Sequence, residues 1–440
     1  MSRSEIASAS VSRRLLVRLF ATAAIVAPTM GALGTFGSLG LRHVAAQGGG
    51  QPLKIGALFP FTGDLSDFGG WFWDSAVLAV EEINAADGVF GRPIELVRGD
   101  TATSPQQAVE EARRLIEVEG VAALIGAAGS GETLPVVESI SGPEGILTIS
   151  PSATSPALTV AIDNDFFFRT TLSDAAQGTV LADLAWEQGY ASAGVLYINN
   201  AYGVGLSQAF AARFAALGGT ITATIPHEQE QASYGSELSA ALEGDPAVFV
   251  PISYPESAGV FLREALESGE VPAMIFSEGL KSEALLAELG WEYFAGVLGT
   301  TPGSTESEIG AAFDAAFAAR YGDLPAVPYL REVYDAAYLI ALSAQAAGTS
   351  DSAAIRDALR LVANEPGEAV RPGVEGWRAA VAALDAGAEI NYQGAAGAAD
   401  FDEQGDVVKG SILIWQVQGE AIATIESRPI DLSQVGAEQV

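Results

Sequence analysis

Cysteine is absent from the 440 residues, and histidine occurs only at His43 and His227. The first absence excludes disulfides, thiolate nucleophiles, a lipid-modified N-terminal cysteine and every cysteine-ligated metal. The second leaves a histidine-based triad or a multi-histidine metal site resting on one residue beyond the N-terminal segment. His227 follows Pro226 in a polar HEQEQ stretch and reads as a solvated loop residue. No Gly-Lys pair occurs, which excludes a phosphate-binding P-loop, and no complete G-x-G-x-x-G follows a strand. Lysine is scarce as well, at Lys54, Lys281 and Lys409 only. With 55 acidic against 22 basic residues the formal charge is −33, which repels nucleic acid and anionic membrane surfaces. No catalytic residue, cofactor or metal is expected on these grounds.

Residues 1–46 read as an export signal. Ser12, Arg13 and Arg14 precede an apolar stretch from Leu15 to Val26, and Val44-Ala45-Ala46 offers a cleavage site before Gln47. The paired arginines fit the twin-arginine route or an ordinary secretory signal. Arg18 and Pro28 interrupt the apolar run, which falls short of the roughly 20 residues needed to span a bilayer. A periplasmic or other extracytoplasmic location follows.

The remainder alternates strand and helix patterns. Apolar runs at 53–59, 93–98, 121–126, 146–150, 194–198, 220–225, 247–252, 273–276 and 296–300 predict strands. Amphipathic patterns between them predict helices at Asp74 to Ala85, Pro105 to Glu119, Ser207 to Leu217, Ser257 to Ser268 and Leu330 to Ala347. Such alternation means βαβ units and parallel-type sheets in an α/β fold. The chain reads as two similar halves, from residue 53 and from about residue 174, then turns helical after about 302. It ends in a predicted strand pair, ADFDEQGD and SILIWQVQ. The acidic run DFDEQGD has Gln404 and Ser411 where a calcium loop needs its later ligands, so a turn is expected there.

Several strands empty into polar Gly/Ser/Thr/Tyr loops: LKIGALFPFTGD, AALIGAAGSGE, ISPSATSP, NNAYGVGL and PISYPESAG. Loops at the carboxyl edge of parallel sheets are where open α/β folds hold small ligands. Gly129-Ser130-Gly131, between a buried-type strand and a helix, can direct backbone N–H groups and a hydroxyl at an anion. Ser152, Ala153 and Thr154 offer a second donor set. Glu278, directly after the strand of MIFSEGL, can face an ammonium group. Phe68, Trp71, Tyr202 and Tyr254 supply an aromatic wall, with Trp71 and Trp73 unable to share one helix face. Glu132 adds a negative charge near the anion cradle.

These segments, with FFFRTTLSDAAQG, YINNAYGVGL and FDEQGDV, run in order through nearly all of the chain beyond residue 52. Together they resemble the periplasmic leucine/isoleucine/valine-binding protein family of ABC importers. The resemblance implies a type I periplasmic binding protein fold: two Rossmann-like lobes joined by three crossover segments near Thr171, Pro302 and Gly410. Lobe 1 would be 52–173 and 303–410, lobe 2 would be 174–302 and 411–427, and 428–440 would be a tail. It also implies that Ser130, Ala153 and Thr154 contact a ligand carboxylate, that Glu278 meets its amine, and that Phe68, Tyr202 and Tyr254 are ligand contacts, Phe68 standing where a tyrosine is more familiar. The implied function is capture of an amino acid, branched-chain or otherwise apolar, by hinge closure and its delivery to membrane permease subunits, by a monomer and without turnover. Relatives of the same fold take amides, urea or aromatic acids or serve as ligand sensors.

Overall fold

Short β-rich apolar runs with buried side chains on both faces form parallel sheets that need helices on either side. The computed structural model describes residues 52–269, 272–303 and 306–432. The export signal expected at 1–46 lies outside the described residues. Five strands, β1 (Leu53–Phe59), β2 (Ile94–Asp100), β3 (Ala123–Gly126), β4 (Leu147–Ser150) and β5 (Phe167–Arg169), build the first sheet. Its order is β2-β1-β3-β4-β5 and every pairing is parallel.

The second sheet contains β6 (Ser192–Ile198), β7 (Thr220–His227), β8 (Val248–Ile252), β9 (Ala273–Phe276) and β10 (Leu298–Gly303), all parallel. Two further strands are added to it, after a two-stranded parallel pair β11 (Glu368–Val370) and β12 (Ile390–Tyr392). They are β13 (Lys409–Val417), antiparallel to β10, and β14 (Ile422–Asp431), antiparallel to β13. The full order is β14-β13-β10-β9-β8-β6-β7.

The chain leaves the first sheet after Arg169 and builds the second to Gly303. It then returns helices to the first sheet before closing on the second with β13 and β14. Helix Leu330–Ala347 packs against helix Ser66–Ala85 and against β3 and β4, which places it on the first lobe. The second lobe packs Phe249, Phe261, Phe276, Phe294 and Trp415, all fully buried.

The predicted terminal strand pair is corrected. SILIWQVQ pairs with the following segment, whose β14 runs to Asp431 where a tail was expected from 428. Its antiparallel pairing with β13 and the ion pairs of Arg428 with Glu187 and Glu426 hold it on the sheet edge. The segment around Asp400 to Asp406 is a turn: the Asp402 carboxylate accepts from the Gln404 and Asp406 N–H groups, and Asp406 bridges to Arg169 beside β5. His227 is also corrected. It ends β7 and is buried against Tyr234 and Phe261, because the strand extends two residues beyond its predicted end.

Arg169, fully buried, ties these parts together. It donates to both Asp406 carboxylate oxygens at 2.6 and 2.7 Å, to Ala153 O and Ser155 O at 3.3 and 2.9 Å, and to Thr159 Oγ1 at 2.8 Å. Breaking one half of a buried ion pair leaves the other charge unpaired, at a cost of about 3–5 kcal/mol. Asp406→Ala is therefore expected to lower unfolding stability by about that amount in urea titrations. An unchanged midpoint would show that the pair contributes nothing.

Candidate functional site

The loop after β1 is pinned before it reaches the junction of the lobes. Asp100, at the end of β2, accepts from Phe61 N–H and Thr62 N–H and from the Thr62 hydroxyl. Gly63 has φ +81°, and a Cβ there would stand 2.2 Å from Ala102 O, so glycine is required at this turn. Asp64 and Leu65 then point into the junction, and helix Ser66–Ala85 begins. The helix starts eight residues earlier than its predicted Asp74. This places Phe68 and Phe72 one turn apart on a buried face.

The loops after β3 and β4 are cross-linked to one another. The hydroxyls of Ser150 and Ser152 donate to Ala127 O and Ala128 O, and Ser150 Oγ accepts from Ala153 N–H. Ser130 Oγ accepts from Ser155 N–H at 3.1 Å, which leaves its proton free to be donated elsewhere. With Arg169 holding Ala153 O and Ser155 O, every turn of this loop is fixed.

From the second lobe come Tyr202, at the start of helix Ala201–Ala216, Tyr254 after β8, and Glu278 after β9. Tyr202 and Tyr254 are stacked, their centroids 5.5 Å apart. Tyr202 shares a hydrogen bond with Ser277 Oγ, and Asn200 donates to Tyr254.

A pocket of about 30 Å³ lies where these loops meet, lined by Leu65, Phe68, Phe72, Gly129, Ser130, Ser152, Tyr202, Tyr254, Glu278 and Tyr329 among others. That space is on the order of one or two waters, so an organic molecule enters only when the lobes part. A larger cavity of about 490 Å³ lies at another face, between Lys281, Arg331 and Leu413. The small pocket is the candidate site, because it draws residues from the ends of strands in both sheets and gathers buried polar groups.

Of the residues proposed from the sequence, Phe68, Ser130, Tyr202, Tyr254 and Glu278 converge on this pocket. Trp71 does not: it packs 6.3 Å from Phe317 on the outer side of its helix, while Trp73 packs against Phe61. Ala153 and Thr154 lie fully buried behind the lining, and the Thr154 hydroxyl donates to Asp174 at 2.9 Å. The early helix start accounts for Trp71, and the competing carboxylate for Thr154. Phe72 and Tyr329 line the pocket and were missed. Phe72 was legible from its spacing to Phe68. Tyr329, at φ +69° before a helix, carries no sequence signal.

Carboxylates dominate the electrostatics. Gln177 Nε2 donates to Glu278 and to Thr300. Burial pushes the Glu278 acid up, opposed by the Gln177 hydrogen bond, and pushes Asp174 up with the Glu278 charge adding to it. Burial lifts Glu132 to about 7 and Asp64 to about 6. Neither Lys nor Arg lines the pocket. Among the described residues no group of three or more His, Asp or Glu is placed to hold a metal ion.

The lobes also touch directly. Ser66 donates to Glu256 at 2.8 Å, Ser282 to Asp67 at 2.7 Å, Ser155 to Ala201 O at 2.8 Å, and Ser257 to Asp64.

The family model for periplasmic binding proteins matches residues 52–400. The chain belongs to that family. It is 30% identical over 385 residues to the chemotactic signal transduction system substrate-binding protein BasB of Halobacterium salinarum, covering 86% of this chain and 90% of that one. It is 30% identical over 313 residues to a Leu/Ile/Val-binding protein homologue of Brucella melitensis, covering 70% and 83%. A leucine-binding protein of Thermotoga maritima superposes with a TM-score of 0.73 at 24% identity, covering 87% of this chain and all of that one, which shows the shared fold. These are the type I periplasmic binding protein architecture and a family of binding proteins rather than enzymes. No helix among the described residues is long and apolar enough to cross a membrane.

The buried acids fix a pH dependence. Their folded-state pKa values exceed the unfolded ones, so between about pH 4.5 and 7 the folded protein holds more protons than the unfolded chain, and stability falls as pH rises. Glu332 and Asp335, each raised by burial to about 7, act in the same sense, while His227, lowered by burial, opposes it. Melting temperatures of the ligand-free protein are expected to drop from pH 5 to pH 8, less steeply in Glu132→Gln. A rise over that interval would contradict this account.

Proposed function

We propose that the protein is an extracytoplasmic solute-binding subunit that captures an α-amino acid between its lobes and hands it to the permease of an ABC importer. The observation that carries this reading is Glu278, a buried carboxylate in the pocket with only neutral hydrogen-bond partners. A carboxylate taken out of water demands a compensating charge, and an ammonium group supplies it. Across the pocket, the Ser130 hydroxyl beside Gly129 offers a donor for the acid end of the same molecule. Leu65, Phe68 and Phe72 give an apolar wall suited to the aliphatic part of a side chain, as in leucine, isoleucine or valine.

Binding and closure are coupled in this reading. The acid end is gripped from lobe 1 and the amine from lobe 2, so the ligand favours the closed form by its contacts to both. Micromolar affinity requires about 8 kcal/mol. Several charge-assisted hydrogen bonds at about 1.5–3 kcal/mol each reach it after the costs of ordering. Export through the N-terminal segment, by the twin-arginine or the ordinary secretory route, and action as a monomer belong to the same proposal.

A second reading keeps the binding step and replaces the permease by a signalling partner. The Halobacterium salinarum relative, a substrate-binding protein of a chemotactic signal transduction system, favours it. Co-purification with permease or with transducer domains separates the two.

A thermal-shift panel of amino acids, aromatic acids, urea and short amides tests the ligand class, since a ligand bound only by the folded state raises its melting temperature. An amino acid is expected to give the largest shift. Glu278→Gln is expected to weaken it by roughly 2–5 kcal/mol, a loss of thirtyfold or more, while leaving aromatic acids and amides nearly unaffected. Equal losses for both classes in calorimetric titrations would remove Glu278 from the amine.

A further inference from the structure

Glu132 is a charged group that the reading above leaves unused. The residue is 1% exposed, and neither carboxylate oxygen has a hydrogen-bond partner. It stands third in the short helix Ser130–Val136, where an acid can fold back to the backbone N–H of the capping residue. It does fold back: Oε2 lies 2.2 Å from where a Cβ on Gly129 would stand. Only its own backbone N–H approaches it there, without hydrogen-bond geometry, so the helix end satisfies it only in part.

Its carboxylate lies instead one layer behind the pocket wall, against Gly129. Gly129 and Tyr254 both line that space, and the Tyr254 hydroxyl is pushed up first by burial and next by the charge of Glu132. The charges facing Glu132 and its neighbours are acidic from every side: Asp64 from the loop after β1, Glu256 beside Asp64 from the opposite lobe, and Glu278 across Tyr254. Asp64 is itself buried, with Ser257 as its side-chain donor.

We propose that Glu132, with Asp64 beside it, forms a second acidic subsite that receives the cationic end of the ligand's side chain, so that the pocket selects a basic α-amino acid over an aliphatic one of equal length. The inference rests on the amino-acid reading above and extends it to the substrate class. A lysine-type stem is apolar and lies along Leu65, Phe68 and Phe72 as an aliphatic side chain does, while its charged tip reaches past Gly129 and Tyr254. A neutral side chain leaves a buried carboxylate without a partner, and that asymmetry is the source of discrimination. Gly129 has a role in this arrangement, since a Cβ at that position would displace the Glu132 carboxylate from where it lies.

Calorimetric titration of the full chain with L-lysine, L-norleucine and L-leucine tests the proposal, norleucine being the lysine stem without its ammonium. Lysine is expected to bind at least tenfold more tightly than norleucine in the unaltered protein. Glu132→Gln is expected to erase that preference while leaving norleucine unchanged or improved, and Asp64→Asn to reduce it, a second variant that serves if the first does not fold. Norleucine or leucine binding as tightly as lysine overturns the proposal and spares the amino-acid reading. So does an equal loss for lysine and norleucine in Glu132→Gln. Binding of none of the three overturns the proposal, and absence of a shift with any amino acid of the panel overturns the amino-acid reading as well.

Discussion

Negative charge buried at the junction of two lobes, without a cation to neutralise it, is the constraint on which the rest of this structure depends. Glu278 and Asp174 come from the second lobe, Glu132 and Asp64 from the first, and all four are buried. The nearby guanidinium of Arg169 is committed to Asp406 and to two backbone carbonyls. An isolated carboxylate taken out of water costs several kcal/mol unless it finds a proton, a donor or a counter-ion. Gln177, Ser257 and Thr154 supply donors to three of these acids, and none of the three carries a charge. The junction is thus held short of its electrostatic optimum, and on the proposed reading a cation completes it.

The scaffold makes that unfavourable arrangement possible by fixing every loop that carries it. Asp100 anchors the loop after β1, Ser150 and Ser152 staple the loops after β3 and β4, and Arg169 holds the latter from behind. Strands β1, β3 and β4 of the first sheet and β6, β8 and β9 of the second all have neighbours on both sides, so the lining groups follow interior strands. A site built on loops would otherwise relax its buried charges toward solvent. Here the relaxation is blocked by hydrogen bonds that the lobes make within themselves.

Much of this was legible in the sequence, and the losses have identifiable causes. Strands Leu53–Phe59 and Ala273–Phe276 fall on their predicted limits because short apolar runs between polar loops have one reading. Helix Ser66–Ala85 was read late because Gly69 and Gly70 look like loop, yet Gly69 is required there: a Cβ would stand 2.1 Å from Pro60 O. That single misreading put Trp71 in the site and left Phe72 out. Thr154 was placed by its hydroxyl after a strand and by resemblance, and that hydroxyl is taken by Asp174, a contact between segments 20 residues apart that no local pattern announces. His227 was read from its polar neighbours, whereas tertiary packing against Tyr234 and Phe261 decided its burial. Glu132 was visible as a charge near the cradle; that it is buried and unpartnered is a property of the fold.

On the proposed reading, the direct contacts between the lobes leave closure to charge rather than to latching. Ser66 with Glu256 and Ser282 with Asp67 are hydrogen bonds to carboxylates at the partly exposed rim, and water competes for both partners when the lobes part. Each is worth about 1 kcal/mol net at such a site. A few such bonds leave the open and closed forms close enough in free energy for a ligand to decide between them. Moving a two-state equilibrium from mostly open to mostly closed takes a differential affinity of about 5.5 kcal/mol. Contacts confined to one lobe contribute nothing to that difference, since they survive opening. The groups that do contribute are those made only when Glu278 and Tyr254 meet Ser130 and Leu65 across the pocket, and among these the buried acids change most in energy between wet and dry surroundings. On the proposed reading, the same acids that destabilise the closed form without a cation are the ones that make closure report its arrival.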